Sequence, residues 1–240
     1  MASYTGRGVH GQVVHALGSR IVGGDLPEGA TLDLRALGDE LEVSITVMRE
    51  SMKVLAGKGL IDARQKRGTF VTERRNWNLL DPDIIRWQVN SDAGHRLMGD
   101  LADVRSIVEP AAAHRAALHR TDDDLDALQA ALDAMAEAHA HSPADAAAAD
   151  TAFHRALLNA TGNELLARMD LLLEPGLRER DRVVHSHHVD DPVPSHGAVL
   201  DAVRDQDPAR AELAMLDLLA KAVQDLDHVT RHTPAPGGKS

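Results

Sequence analysis

The sequence predicts a mainly α-helical protein of two domains: a small N-terminal domain carrying one β-hairpin, and a larger antiparallel all-helical bundle. Three observations carry this prediction. Apolar residues recur at helical spacing along almost the whole chain, and the only short β-branched or alternating runs lie between residues 60 and 72. Charge also divides unevenly: residues 1–75 hold 11 Lys/Arg against 9 Asp/Glu, while the remainder holds 15 against 28. The net charge of −11 therefore conceals a mildly basic N-terminal third. A chain of 240 residues suits two domains of ordinary size. With two Trp, two Phe and one Tyr, the cores must be built from Leu, Val, Ile, Met and Ala, which favours helices.

Cysteine is absent, which excludes disulfides, thiolate catalysis and Cys-based zinc sites and fits a reducing cytoplasm. No run approaches ~18 consecutive apolar residues, and no basic-then-apolar leader opens the chain. The expectation is a soluble, cytoplasmic protein with no membrane partner.

In chain order, Val14, Leu17 and Ile21 form a helical stripe that stops at Gly23-Gly24. Asp33 can cap a helix with Leu34, Leu37 and Leu41 inward, and Ser44 a third carrying Val47, Met48, Met52 and Leu55. Leu60–Arg64 and Thr69–Thr72, with Gln65-Lys66-Arg67-Gly68 between them, read as a hairpin. Helix, helix, tight turn, helix, hairpin is the order of a winged helix-turn-helix, spanning residues 1–75. Residues 76–96 form a connector in which Asp81-Pro82 starts a short helix. From 97 to 230 every stripe is helical: Leu97, Leu101, Val104 and Val108; Leu125, Leu128, Leu132 and Met135; Phe153, Leu157 and Ala160; Leu165, Met169, Leu172 and Leu173; Val199, Leu200 and Val203; and Ala211, Met215, Leu218 and Ala222. The Pro/Gly/Ser tail at 231–240 reads as disordered.

A helix-turn-helix lays its second helix in the major groove, so that helix needs small polar residues first and an Arg one turn on. Ser44, Thr46 and Arg49 sit at those positions. Arg35 in the preceding helix can reach phosphate or base, and Lys66, Arg67 and Gly68 at the hairpin tip can approach the backbone or minor groove. Each piece alone would be an ordinary solvated turn or helix pair; their order and spacing point to double-stranded operator DNA.

The second half carries a different chemistry. Arg105 lies on an apolar stripe, where an unpaired guanidinium is expensive. Either Glu109, one turn on, neutralises it, or it clamps a ligand carboxylate through its planar fork. Asp150 and His154, four apart, project from one helix face, and His196 shares an inward stripe with Val199 and Leu200. One carboxylate and two imidazoles can hold zinc, nickel or manganese with positions left for a ligand. The competing reading is a surface Asp-His pair with a hydrogen-bonded core histidine. The same ligand set serves non-haem iron oxygenases, but usually on β-barrels, and no nucleophile elbow or phosphate-binding loop is visible, so an enzyme is not expected. A DNA-binding protein without an effector would leave the acidic bundle and its inward Arg without a role.

The segment LRALGDELEVSITVMRESMKVLAGKGLIDARQKRGTFV resembles the signature of GntR-type winged-helix regulators. The resemblance implies DNA contacts at Arg35, Ser44, Thr46, Arg49 and Gly68. Two positions depart from the family pattern, with Glu42 where Gly is usual in the turn and Ile45 where Arg usually follows the Ser. Residues 97–227, through VRSIVEP, DTAFHRALLNATGN and HGAVLDAVRDQDPARAELAMLDLL, resemble the FCD effector domain of the FadR branch. The resemblance implies a divalent metal at Asp150, His154 and His196 that presents a carboxylate effector, with Arg105, Asn163 and Arg178 beside it. The family's fourth ligand position, 22 residues after His196, is Leu218, which leaves direct binding of the acid by polar side chains as the competing design. The connector RRNWNLLDPDIIRW resembles that of sugar-acid regulators, so a small sugar acid is the expected effector. The resulting expectation is a homodimeric repressor that the acid releases from DNA. The cluster His185-Ser186-His187-His188 reads as a solvated loop.

Overall fold

A computed structural model of the protein describes residues 8–89, 91, 94–139, 142–171 and 191–232, and places them in two compact units divided between Leu97 and Met98. The expected Arg178, the His185–His188 cluster, Leu172, Leu173 and the tail beyond His232 lie outside the described residues.

The first unit runs α1 (Val9–Val22), β1 (Thr31–Leu32), α2 (Leu34–Glu40), α3 (Ile45–Gly57), β2 (Ile61–Arg64), β3 (Gly68–Val71), a 3-10 turn at Arg74–Asn76 and α4 (Pro82–Val89). Three of the helices start on a local side-chain cap. Asp33 Oδ1 accepts from the N–H groups of Arg35 and Ala36 at 2.9 and 3.1 Å, and Ser44 Oγ from that of Val47 at 3.3 Å. Asp81 does the same for α4 through Asp83 and Ile84. α1 ends as the Gly23 N–H donates to Ser19 O at 2.8 Å. Leu17, Ile21, Met48, Leu55 and Leu60 close the core, all nearly without exposure.

The hairpin forms in the expected place, registering Ile61 with Val71 and Arg64 with Gly68. β3 is the central strand, because Thr31–Leu32 pairs on its other edge. That two-residue strand is too short to show a period and does not stand out in the sequence. The turn between α2 and α3 puts Glu42 at φ 53°, a left-handed conformation in which a Cβ is strained.

Residues 76–89 of the connector are docked on the first unit. Lys58 Nζ contacts Asp81 at 2.8 Å and Asp83 at 2.7 Å, all three buried. Trp77 Nε1 donates to Thr72 O, and Trp87 Nε1 donates to His15 Nδ1 at 2.8 Å.

Six helices follow among the described residues: α5 (Gly94–His119), α6 (Asp122–His139), α7 (Pro143–Ala160), α8 (Glu164–Ala167), α9 (Val193–Arg204) and α10 (Pro208–His232). α6 packs along α7, and α9 against both α10 and α6. Leu128, Met135, Phe153, Leu157, Leu200, Val203 and Met215 form the core they share. The expected stripe at 165–173 is corrected. α8 is a single turn, and of the two stripe residues among the described ones Leu165 is 80% exposed while Met169 packs inward, against Ala112 and Leu158. Pro110 sits inside α5 and removes one backbone donor there, immediately after Glu109.

Candidate functional site

Two surfaces matter, one in each unit. In the first, Met48 of α3 is buried while Ser44, Ile45, Thr46 and Arg49 are exposed along its first turns. Gly38 lets α2 approach: a Cβ there would lie 3.2 Å from Val43 O and 3.3 Å from Met48 Cγ. Arg35 is exposed on α2. Lys66 and Gly68 flank the wing tip with φ 71° and 76°, so the tip is a tight left-handed turn. Arg67 behaves differently from its tip neighbours. Its guanidinium stacks 3.6 Å from the Phe70 ring centroid and donates to Gly29 O at 3.3 Å, tying the wing to the loop before β1.

The second surface is a buried cluster of charge. Arg105, Glu109, Asp150, His154 and His196 are all under a tenth exposed. Arg105 Nε donates to Glu109 Oε1 at 2.8 Å and Nη2 to Oε2 at 3.4 Å, so the internal ion pair anticipated from spacing is formed. The same Nη2 lies 3.3 Å from His154 Nε2. Glu109 Oε2 is also 3.0 Å from His154 Nδ1. Burial on its own would raise the Glu109 carboxyl, but His154 and Arg105 beside it hold it down at about 2.

Asp150 faces both imidazoles: Oδ1 lies 3.0 Å from His196 Nε2 and Oδ2 lies 3.6 Å from His154 Nε2. Phe153 braces the rings edge-on, its centroid 4.9 Å from that of His196. One ligand atom from each of Asp150, His154 and His196 falls within 4.8 Å of the others.

Donor logic decides what this set accepts. His196 Nδ1 is 2.9 Å from Pro192 O, and a carbonyl only accepts, so Nδ1 carries a proton; in the neutral ring Nε2 then turns its lone pair toward the Asp150 carboxylate. Two acceptors facing each other in a buried place call for a cation between them. A backbone-oriented imidazole beside a carboxylate is the arrangement that metal ligation uses. The residues fit a divalent ion, and three protein donors leave coordination positions for an outside oxygen. Leu218, in the fourth ligand's sequence position, is 3% exposed within the apolar core.

Asn163 is occupied locally, its Oδ1 accepting from Leu165 and Leu166 as the cap of α8. Glu109 was legible only as a partner for Arg105; its contact with His154 depends on α5 and α7 meeting, which spacing along one helix cannot show.

Residues 10–71 match the bacterial regulatory proteins of the gntR family, and residues 100–221 match the FCD domain. The chain belongs to the GntR family, in the group bearing an FCD domain. It is 32% identical over 223 residues to the galactonate operon transcriptional repressor of Escherichia coli, covering 91% of this chain and 97% of that one. It is 31% identical over 205 residues to the HTH-type transcriptional regulator LutR of Bacillus subtilis, covering 82% and 91%. The fold is also that of a GntR protein from Streptococcus agalactiae, with TM-score 0.51 and 24% identity over 90% of this chain and 99% of that one. A second structure, of Lar, described as controlling the agr system of Listeria monocytogenes, superposes with TM-score 0.63 at 14% identity, over 92% and 98%.

This GntR protein is therefore a DNA-binding transcription regulator, and its relatives and fold are those of regulators rather than enzymes. Among the described residues, no helix is long and apolar enough to cross a membrane.

Proposed function

We propose that the protein is a homodimeric, cytoplasmic repressor, released from its operator by a small sugar acid bound in the FCD domain. The observation that carries the reading is the meeting of Arg105 with Asp150, His154 and His196 in one buried cluster. Arg105 is the one permanently charged cation of the cluster, beside two carboxylates, Glu109 and Asp150. An entering carboxylate would add charge of the wrong sign. A divalent ion such as zinc, nickel or manganese, held by Asp150, His154 and His196, reverses that balance and, when bound, supplies a Lewis-acidic point for an acid oxygen. Arg105, already engaged by Glu109 through Nε and Nη2, adds positive charge beside the same anion. The E. coli relative named for a galactonate operon supports an aldonic acid as the first ligand to try.

DNA recognition falls to Arg35, Ser44, Thr46 and Arg49, with Lys66, Arg67 and Gly68 at the wing; two copies reading two half-sites give a palindromic operator. The acid acts by population shift, so its affinity must differ between DNA-competent and incompetent states.

Elemental analysis of the purified protein, with calorimetric titration of aldonic acids before and after chelation, tests the site. Near-stoichiometric metal with chelator-sensitive acid binding is expected. Metal-free protein that still binds the acid would move recognition to Arg105 alone, and an acid that tightens operator binding would reverse the sign of the switch.

A further inference from the structure

Glu109 is the one member of the buried cluster without a place in that scheme, and it is the least exposed carboxylate in it, at 1%. A single side chain that touches both the arginine and a histidine can set the state of both. Arginine has only donors, so its Nη2 at 3.3 Å requires His154 Nε2 to present a lone pair. The ring proton then belongs on Nδ1, and the group facing Nδ1 at 3.0 Å is Glu109 Oε2, an acceptor when ionised. The contact is close but off the line of an N–H bond, so its effect on the ring is chiefly electrostatic. Meanwhile Glu109 grips the side of the guanidinium, through Nε and Nη2, which fixes the plane of the fork.

We infer that Glu109 is a positioning residue: it keeps the His154 proton on Nδ1, so that the Nε2 lone pair stays on the side of Arg105 and Asp150, and it holds the Arg105 fork in the same cluster. The metal part of this inference rests on the proposed metal site; the tautomer part stands on the geometry alone.

Glu109→Gln separates the two. The amide is nearly isosteric and offers an N–H₂ where Glu109 offers only acceptors, so it can donate to Nδ1 and drive the proton to Nε2. In protein labelled with ¹⁵N-histidine and stripped of metal, the ring nitrogens of His154, assigned by their loss in His154→Asn, should report Nδ1–H in the parent and Nε2–H in Glu109→Gln. Zinc affinity by calorimetry should fall about 10- to 100-fold, the usual effect of losing an outer partner of a metal-ligating histidine. An unchanged tautomer in Glu109→Gln, or an unchanged zinc affinity in a parent that binds zinc, overturns the inference. A parent that does not bind zinc defeats the proposed metal site, while the tautomer comparison still decides the role of Glu109. Should Glu109→Gln not fold, Arg105→Lys is the second variant, which removes the Nη2 donor and leaves Glu109 a cation to pair with. Glu109 remains in it, so Nδ1–H must persist, and a switch to Nε2–H would assign tautomer control to Arg105 instead.

Discussion

The Trp87 ring closes directly on Gly18: a Cβ at residue 18 would sit 2.3 Å from the indole Cη2. The ring is held there from its other end, where Nε1 donates to His15 Nδ1 one turn before Gly18 along α1. Gly18 is thus a contact surface within a helix that would otherwise favour Ala by about 1 kcal/mol. Gly18→Ala is expected to destabilise the first unit by about 2 kcal/mol, since overpacking outweighs the gain in helix propensity. Chemical denaturation followed by tryptophan fluorescence measures this, because both tryptophans, Trp77 and Trp87, belong to the first unit. A variant as stable as the parent would mean the indole moves aside freely.

The buried Lys58 pairs with Asp81 and Asp83 at the start of α4 and lies 5.8 Å from the Trp87 ring centroid. Burial pushes its pKa down, but the hydrogen bonds it donates to both carboxylates outweigh that, and the ammonium is held above its ordinary value. A raised folded pKa gives stability that is complete below the unfolded value, about 10.4, and fades as pH climbs through the folded one. The docking of α4 should therefore be insensitive to pH around neutrality and loosen only in alkali beyond the ordinary lysine value, read as a change in tryptophan emission there. Lys58→Met leaves two carboxylates together in a buried place and should cost about 3 kcal/mol of the first unit's stability at neutral pH. Loosening between pH 8 and 10 would show that Lys58 is not held by this pair.

The legible parts of the structure are the local ones. Asp33 and Ser44 cap helices where they stand in the sequence, because a cap needs only N–H groups two or three residues away. Asp150 and His154 share a face because they are four apart on α7, and His196 is inward because Val199 and Leu200 are. What could not be read depends on distant segments meeting. β1 exists only because β3 offers an edge to Thr31 and Leu32. The connector joins the first unit because Gly18 leaves room for Trp87 and Lys58 reaches Asp81. Arg67 looks like a free basic tip until Phe70, three residues on in β3, gives it a face to stack on. The apolar stripe at 165–173 misleads for the opposite reason: its spacing is helical, but α8 ends after one turn and turns Leu165 outward.

Arg49 and Arg105 should separate cleanly in function. Arg49 is exposed on the second turn of α3 and has the reach for a guanine edge, a contact that contributes about 1–3 kcal/mol. Arg49→Ala should weaken operator binding by about 10- to 100-fold in a mobility-shift titration and leave calorimetric acid binding unchanged. For Arg105 the better variant is Lys, because Ala would strand Glu109 as a buried charge. Arg105→Lys keeps the charge and loses the fork, so acid affinity should fall while acid-free operator binding stays within about twofold. Equal damage to operator binding by both variants would refute this division of labour.

Ile45 opens the recognition helix with an apolar side chain that is 41% exposed, directly after the Ser44 cap. The GntR pattern resembled by this segment usually carries Arg at this point, so under the proposed DNA contacts one phosphate or guanine contact would be missing. Ile45→Arg places a cation at the exposed start of α3 without disturbing the core, since Met48 and Met52 carry the packing. If the new guanidinium meets a phosphate, the slope of log K against log salt should steepen by about 0.9 for one additional released counterion, and binding should tighten similarly on operator and unrelated DNA. If it meets a guanine instead, the salt slope should barely move and the gain should be confined to operators bearing that base. Titrations at several salt concentrations on both DNAs distinguish these cases, and no gain on either would mean that the Ile45 side of α3 does not face the groove.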